Sequence, residues 1–456
     1  MMHAFERFGI ALSLALLGAV ACSQGSGSPA QGGTGGAPLS AGAAGTSVGA
    51  AGKPANDAGG SESGSAGSPS SGGSGSAGTA SAGAANGGTS SAGSSNGGTS
   101  SAGTSSAGTA SSGAAGGATD EVNASAMAAK MGFGANIGNT LENTTSWETG
   151  WGQPLITQTF INGMASHGIK TVRVPVAWDT YASNGVIDPS KLSRVKEVVG
   201  WIEAAGMYSI VNIHWDGGWI FNENKPNQYK LTADVKSKFA SYWTQIATGF
   251  GGVGNKLVFE GLNEEGRFYV NGDSTQAPDY AALNELNQLF VTTVRAQSGF
   301  NKTRALLIAG FNTDIDLTCV NAFTVPSDPA GSGKLFLSIH YYTPYTFTGL
   351  DTVESWGSPA TKWGTDSEKA SLQSLFSKLA TFSTQKKIPV ILGEFAVTPG
   401  TNYVREPASR VLWMESVAKA SFSRGIVPVL WDTGSEIKRT DGSFSSEFQT
   451  VMNDTQ

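Results

Sequence analysis

Eight short runs rich in β-branched and apolar residues recur along the chain from residue 131 onward, each separated from the next by a stretch long enough for a helix. They are "MGFGANIGN" near 131, "TVRVPVAW" at 171, "YSIVNIH" at 208, "LVFEGLNE" at 257, "RALLIAG" at 304, "LFLSIHYY" at 335, "IPVILGEF" at 388 and "IVPVLWD" at 426. Between the second and third, Asp188 and Pro189 read as an N-cap and first-turn proline. Leu192, Val195, Val199 and Ile202 follow at helical spacing, and Gly206 closes the helix. The unit is βαβ, and eight of them predict an α/β fold, a (β/α)8 TIM barrel. An open doubly wound sheet fits less well, because its first strand more often runs into a glycine-rich phosphate loop, and "GFGANIG" lacks that spacing.

Composition sets the limits of this domain. No aromatic residue occurs between Cys22 and Phe133, and from Ser23 to Thr119 the only charges are Lys53, Asp57 and Glu62. Gly, Ser, Ala and Thr bury too little apolar area to offset backbone ordering, so residues 23–119 are expected to be a disordered linker. "NGGTSSAG" occurs at Asn86 and again at Asn96, as in a low-complexity spacer. A coil of this kind spans roughly 50–60 Å. Residues 120–456 hold all eleven tryptophans and form the expected catalytic barrel.

The first 22 residues carry Arg7, the apolar run "GIALSLALLGAVA" and then Cys22, the layout of a secretion signal. "AVAC" resembles a bacterial lipobox, although the pattern prefers Leu where Ala19 stands. Lipidation at Cys22 is therefore expected, with export to the outer membrane or cell surface, or simple secretion. Cys319, the only other cysteine, reads as a small buried hydrophobe. The net charge of −6 shows no basic stripe, so nucleic acid is not an expected partner. Membrane contact would come only through the lipid, and a monomer is expected.

In a barrel of this class the active site lies at the C-terminal strand ends. Those ends carry Arg173 and Trp178, His214, Asn263 and Glu264, His340 and Tyr342, Glu394, and Trp431. The chain has four histidines, and two of them fall here. Two carboxylates on different strands, Glu264 and Glu394, suit glycosidic bond cleavage, in which one protonates the leaving oxygen while the other attacks the anomeric carbon. Either glutamate alone serves equally well as an ion-pair partner of Arg173 or a loop lysine. The pair, with Asn, His, Tyr and Trp at neighbouring strand ends, does not read that way. Alternation along "VFEGLNEEGRFY" puts Glu260, Leu262 and Glu264 on one face, with Glu260 deeper as a buried structural carboxylate and Glu265 starting the loop.

The stretch from Met131 to Gly434 resembles the cellulase type of family-five glycoside hydrolases. "MGFGANIGNTLE…WETGWGQP" is similar to the family's opening signature, and "VRVPVAW", "NIHWDGG", "FEGLNE", "HYYTPY", "GEF" and "LWD" follow in the family's order. The resemblance implies a retaining endo-β-1,4-glucanase acting on cellulose-like or mixed-linkage β-glucan without a cofactor. It implies Glu264 as acid/base and Glu394 as nucleophile, with Arg173 steadying Glu394. His214 and Asn263 would bind the adjacent sugar, His340 and Tyr342 would line the site, and Trp431 would form its floor. Trp178 and Trp215 join the expected sugar-binding set. Trp147, Trp151, Trp219, Tyr269, Tyr345 and Trp356 also fall in strand-end loops, where flat rings suit pyranoses.

Two positions depart from the pattern: Glu265 stands where the family usually has proline, and Trp215 where many relatives have a second histidine. A xyloglucanase or β-mannanase of the same family is the nearest alternative, and a non-catalytic polysaccharide-binding surface lipoprotein a more distant one. A metal-dependent barrel hydrolase would want His-x-His at the end of the first strand, where this chain has "ANIGNT".

Overall fold

Asp188 caps a helix as its sequence predicts: its side chain accepts from Ser190 N, Pro189 occupies the first turn, and the helix runs Pro189–Ala204 before Gly206 turns at φ 84°. The preceding strand, Thr171–Val174, and the following one, Tyr208–Asn212, pair in parallel through Thr171↔Tyr208 and its successors. The same unit repeats around the molecule. The computed structural model describes residues 122–220 and 230–455. The signal-like segment, Cys22 and the linker 23–119 lie outside the described residues.

Eight parallel strands close into one barrel. They are β1 Gly134–Asn136, β2 Thr171–Val174, β3 Tyr208–Asn212, β4 Leu257–Glu260, β5 Leu306–Ala309, β6 Leu335–His340, β7 Val390–Glu394 and β8 Val427–Leu430. Each neighbours the next in sequence, and β1 meets β8 through Gly134↔Val429 and Ala135↔Leu430. The (β/α)8 barrel expected from the eight runs is the fold.

Alternation along the strands divides the side chains into two populations. Ile210, Val258, Leu307, Phe336, Ile391 and Val429 gather with Met127 and Met131 of the helix Ala124–Met131, so an apolar layer fills one end of the barrel interior. Their outward neighbours, among them Val172, Val211, Phe259 and Leu392, join the larger core beneath the surrounding helices. Further along the same inward faces stand Asn136, Arg173, Glu260 and Ser338, which bond one another. The interior is thus apolar at one end and charged at the other, and the charged end is where the strands finish.

Candidate active site

Arg173 is the centre of that charged end. Fully buried on β2, it donates from Nε to Glu260 at 2.6 Å, from Nη1 to Asn136 at 2.9 Å and Glu394 at 2.7 Å, and from Nη2 to Asn263 at 2.7 Å. Burial works against its charge, but Glu260 and Glu394 outweigh that and hold the guanidinium above its ordinary value. Ser338 donates to the other oxygen of Glu260 at 2.7 Å, and Asn136 anchors its own amide on the carbonyls of Gly393 and Leu430. Glu260 is therefore the buried carboxylate with a basic partner that its position on β4 suggests. Glu260→Gln should cost about 3–5 kcal/mol, because it turns an amide donor or a neutral oxygen toward a buried cation. A urea unfolding midpoint measures this, and an unchanged midpoint would show that the pair contributes nothing to the fold.

Glu394 ends β7 with one oxygen on Arg173 and the other accepting from Tyr342 Oη at 2.9 Å. Burial pushes its carboxyl above the ordinary range, opposed by His340, Arg173 and the Tyr342 hydroxyl. Burial also raises the Tyr342 phenol, as does Glu394, so the phenol stays a neutral donor. His340, at the end of β6, lies with Nδ1 2.9 Å from Glu264 and 3.7 Å from Glu394. Glu264, just beyond β4, is the more open of the two carboxylates, with its side chain 30% exposed against 3% for Glu394. Facing oxygens of the pair lie within 4.8 Å. Asn263, between Leu262 and Glu264, is buried with its Oδ1 held by Arg173.

On the other flank His214 and Trp431 stack with ring centroids 5.7 Å apart and planes 6° from parallel. Burial, with Arg173 and His340 nearby, drives His214 well below its ordinary value and keeps the ring neutral. Trp431 rests on Gly138, where a Cβ would approach its ring to 3.0 Å and the Asp432 carbonyl to 2.8 Å, so only glycine admits this floor. Trp215 projects beside His214, 37% exposed.

Two expectations fail here. Trp178 does not reach the site. The strand β2 ends at Val174, Trp178 is wholly buried, and its indole donates to the Asn212 carbonyl at 2.8 Å, so it packs beneath the loops. Leu262 does not share the inward face of Glu260, because β4 ends at Glu260 and strand alternation stops applying; Leu262 packs in the outer core. Among the loop aromatics, Trp147 is buried edge-on against Tyr181 and so serves the loop itself, and the half-buried Trp219 meets Tyr242 edge-on. Cys319 is half-buried with its thiol pushed by burial up to about 12, an inert group.

The sequence reading missed Asp216. Its carboxylate gathers the N–H groups of Trp178, Asp179 and Thr180 at 2.7, 2.5 and 2.9 Å and so ties the His214–Trp215 loop to the loop after β2. The only signal was an Asp before two glycines, and those glycines do adopt positive φ. Asn136 was also missed, although an amide inside a buried strand of small residues is itself a clue.

Glu264, His340 and Glu394 are near enough to share a metal ion. Both oxygens of Glu394 already accept donors, however, one from a guanidinium cation, which makes this a poor metal cradle. A groove of about 540 Å³ lined by Trp147, Lys191, Arg194 and Trp201 shares no residue with the cluster. Its aromatic faces are already covered by Lys191, 4.7 Å from the Trp147 ring centre, and Arg194, 5.0 Å from that of Trp201.

The arrangement pairs one partly exposed carboxyl at the rim with one buried, hydrogen-bonded carboxylate beneath, above an aromatic floor. The family model for cellulases, glycosyl hydrolase family 5, matches residues 132–436. Endoglucanase A of Paenibacillus barcinonensis is 34% identical over 343 residues, covering 69% of this chain and 83% of that protein. A xyloglucan-specific endo-β-1,4-glucanase of Bacteroides ovatus is 30% identical over 339 residues, covering 69% of this chain and 66% of that protein. Among solved structures, a GH5-4 broad specificity endoglucanase from an uncultured bovine rumen ciliate superposes with TM-score 0.65 at 31% identity, covering 74% of this chain and 98% of that one.

Proposed function

The chain belongs to the cellulases of glycosyl hydrolase family 5 and is a glycoside hydrolase of the endoglucanase kind; from that premise we propose that it cleaves β-1,4-linked glucan with retention of configuration, Glu394 acting as nucleophile and Glu264 as acid, then base. The observation that supports this most is the 4.8 Å limit on the gap between facing carboxylate oxygens. Retaining enzymes hold the two carboxyl groups about 5–5.5 Å apart, whereas inverting ones leave about 6.5–9.5 Å for a water.

In the first step a Glu394 oxygen bonds to the anomeric carbon as the glycosidic C–O bond breaks, and the Glu264 proton passes to the leaving oxygen. Glu394 is then an ester and carries no charge. In the second step water attacks the anomeric carbon, Glu264 takes its proton, and the ester bond breaks. Arg173 and Tyr342 favour the ionised nucleophile by directing donors at its two oxygens. With its Oδ1 turned to Arg173, Asn263 has Nδ2 as a donor for a sugar 2-hydroxyl, a contact that strengthens in the transition state. Trp431, backed by His214, offers a flat apolar face to the sugar ring.

Cellulose-like and mixed-linkage glucans are the proposed substrates. Xyloglucan is the second reading, favoured by the xyloglucan-specific relative. Incubation with β-glucans, xyloglucan, mannan and xylan, with the products sized, tests both. Rapid shortening of a soluble β-1,4-glucan to mixed oligosaccharides is expected. Fastest cleavage of mannan would overturn the substrate choice, and binding without any cleavage would favour the non-catalytic alternative.

Lipidation at Cys22 is proposed from "AVAC", with residues 23–119 as the tether that lets the barrel reach substrate. Cys22→Ser should move the protein out of the membrane fraction and leave its rate on soluble glucan unchanged. Retention in the membrane fraction would refute the anchor.

A further inference from the structure

Asp216 is 2% exposed, although it lies on the loop that carries His214 and the exposed Trp215. A carboxylate so far from water is unfavourable unless polar groups compensate it. Its Oδ2 accepts from the N–H groups of Trp178 at 2.7 Å and Asp179 at 2.5 Å, and its Oδ1 accepts from the N–H and the hydroxyl of Thr180, both at 2.9 Å. All four donors belong to the loop after β2. One side chain thus gathers a second loop onto its own.

The backbone at this point is unusual. Asp216, Gly217 and Gly218 take φ of 50°, 74° and 70°, three left-handed residues in a row, of which only the first carries a Cβ. Aspartate tolerates that region better than most residues, and its bonds across the loops hold it there. Just before His214, Asn212 makes a matching connection. Its Oδ1 accepts from Val176 N at 3.2 Å, its carbonyl accepts from the Trp178 indole at 2.8 Å, and its Nδ2 lies 3.3 Å from His214 Nδ1. His214 N itself donates to the Val176 carbonyl at 3.0 Å. His214 is therefore bracketed by cross-loop bonds, from Asn212 on one side and Asp216 on the other. The Asp179 carboxylate carries the connection outward, accepting from Tyr242 Oη at 2.5 Å and pairing with Lys238 Nζ at 2.6 Å on the helix Ala233–Gly249.

The ring so held is the one that backs the floor of the site, parallel to Trp431 within 6° at a centroid distance of 5.7 Å. Two stacked rings resist sliding only weakly, so the stack keeps its place only if the histidine is fixed from elsewhere. We propose that Asp216 is a positioning residue for His214: its buried carboxylate locks the loop after β3 onto the loop after β2 and so sets the ring against which Trp431 and the sugar are placed. Asp216 is too deeply buried to meet substrate. It acts through His214.

The proposal rests on the reading of His214 as a sugar-binding residue, and the test separates the two. Asp216→Asn, Asp216→Gly, His214→Ala and the double variant Asp216→Asn with His214→Ala, all in the full chain, are assayed on soluble β-glucan and on an aryl β-cellobioside with a dinitrophenyl leaving group, well below each variant's unfolding midpoint. Asparagine and glycine both accept a left-handed backbone, so neither adds strain of its own. Asparagine keeps one acceptor oxygen and turns an amide toward N–H donors, whereas glycine keeps no acceptor. Losses in kcat/KM of about 10-fold for Asn and about 30-fold for Gly are expected. They should be equal on the two substrates, because the ring serves the sugar and not the leaving group; Glu264→Gln, run alongside, should spare the dinitrophenyl substrate. His214→Ala should lose about 100-fold, and the double variant no more than about threefold beyond it, since a hook that acts through His214 then has nothing to act on. Multiplied losses in the double variant, a split between the substrates, or wild-type rates in both position-216 variants would overturn the proposal. Wild-type rates in His214→Ala would remove His214 from the sugar-binding role, and the proposal with it.

A spectroscopic readout checks the geometry without activity. The chain has four histidines, so the imidazole Cε1–H resonance that moves in Trp431→Ala and vanishes in His214→Ala is assigned to His214. Asp216→Asn and Asp216→Gly should move the same resonance, because the ring shifts within the field of the indole. A resonance unmoved in both would show that the carboxylate joins the loops without placing the ring, and the proposal would fall.

Discussion

Glu394→Ala should lower kcat on β-glucan by roughly 10⁴–10⁶-fold, the range seen when a covalent nucleophile is removed. The chain should still fold, since alanine leaves Arg173 with Glu260 as a buried counter-charge at 2.6 Å. Azide then tests the role directly. The space vacated by the carboxylate faces Arg173 and the Tyr342 hydroxyl, both suited to a small anion. Azide seated there attacks the anomeric carbon once, so the rescued product should be an α-glycosyl azide, inverted with respect to the β-linked substrate. The wild type, reacting twice, should release β product, visible by proton NMR before mutarotation. Early α product from the wild type, or rates in Glu394→Ala above about a hundredth of normal, would remove Glu394 from the nucleophile role. The pH profile adds a sign. The nucleophile works only when ionised and burial raises its carboxyl, so activity should fall on acidification above the usual carboxylate range.

The parts of this site that were legible in the sequence are those set by strand ends. A run such as "PVILGEF" announces a buried parallel strand, and the first polar residue after it must sit at the mouth, which is where Glu394 lies. Arg173 as the partner of the nucleophile came from the family resemblance; from the residues alone it could pair with either glutamate. Its bonds to Glu260, Asn136 and Asn263 were not legible, since they depend on how four strands tilt around the axis. Trp178 shows where the reasoning fails. Its place at the end of the run "TVRVPVAW" suggests the mouth of the barrel, yet the chain has already left the strand at Val174, and its indole finds the Asn212 carbonyl instead. Leu262 fails for the same reason, two residues after β4 ends. Asp216 was missed because its three N–H donors come from another loop, and no spacing within "HWDGG" encodes them.

Three glutamates stand together in "VFEGLNEEGRFY", and their environments separate them: Glu260 is locked to Arg173 and Ser338, Glu265 is buried with its Oε2 meeting no donor among the described residues, and Glu264 alone is open to substrate. Glu264→Gln should therefore lose about 10²–10⁴-fold on β-glucan, whose sugar leaving group needs a proton. The fold should be unaffected, because glutamine is isosteric and its amide can still meet His340 at the rim. On a dinitrophenyl β-cellobioside the first step needs no acid, so the variant should release a rapid burst of phenolate. Turnover should then stall, because the second step has lost its base and the glycosyl ester on Glu394 accumulates. Azide needs no deprotonation, so it should restart turnover by attacking that ester. Its product should be the β-glycosyl azide, formed by two inversions, and opposite in configuration to the product from Glu394→Ala. A burst in Glu265→Gln with near-normal behaviour in Glu264→Gln would shift the acid by one residue. The same azide anomer from both variants would mean that the two carboxylates do not divide the reaction between them.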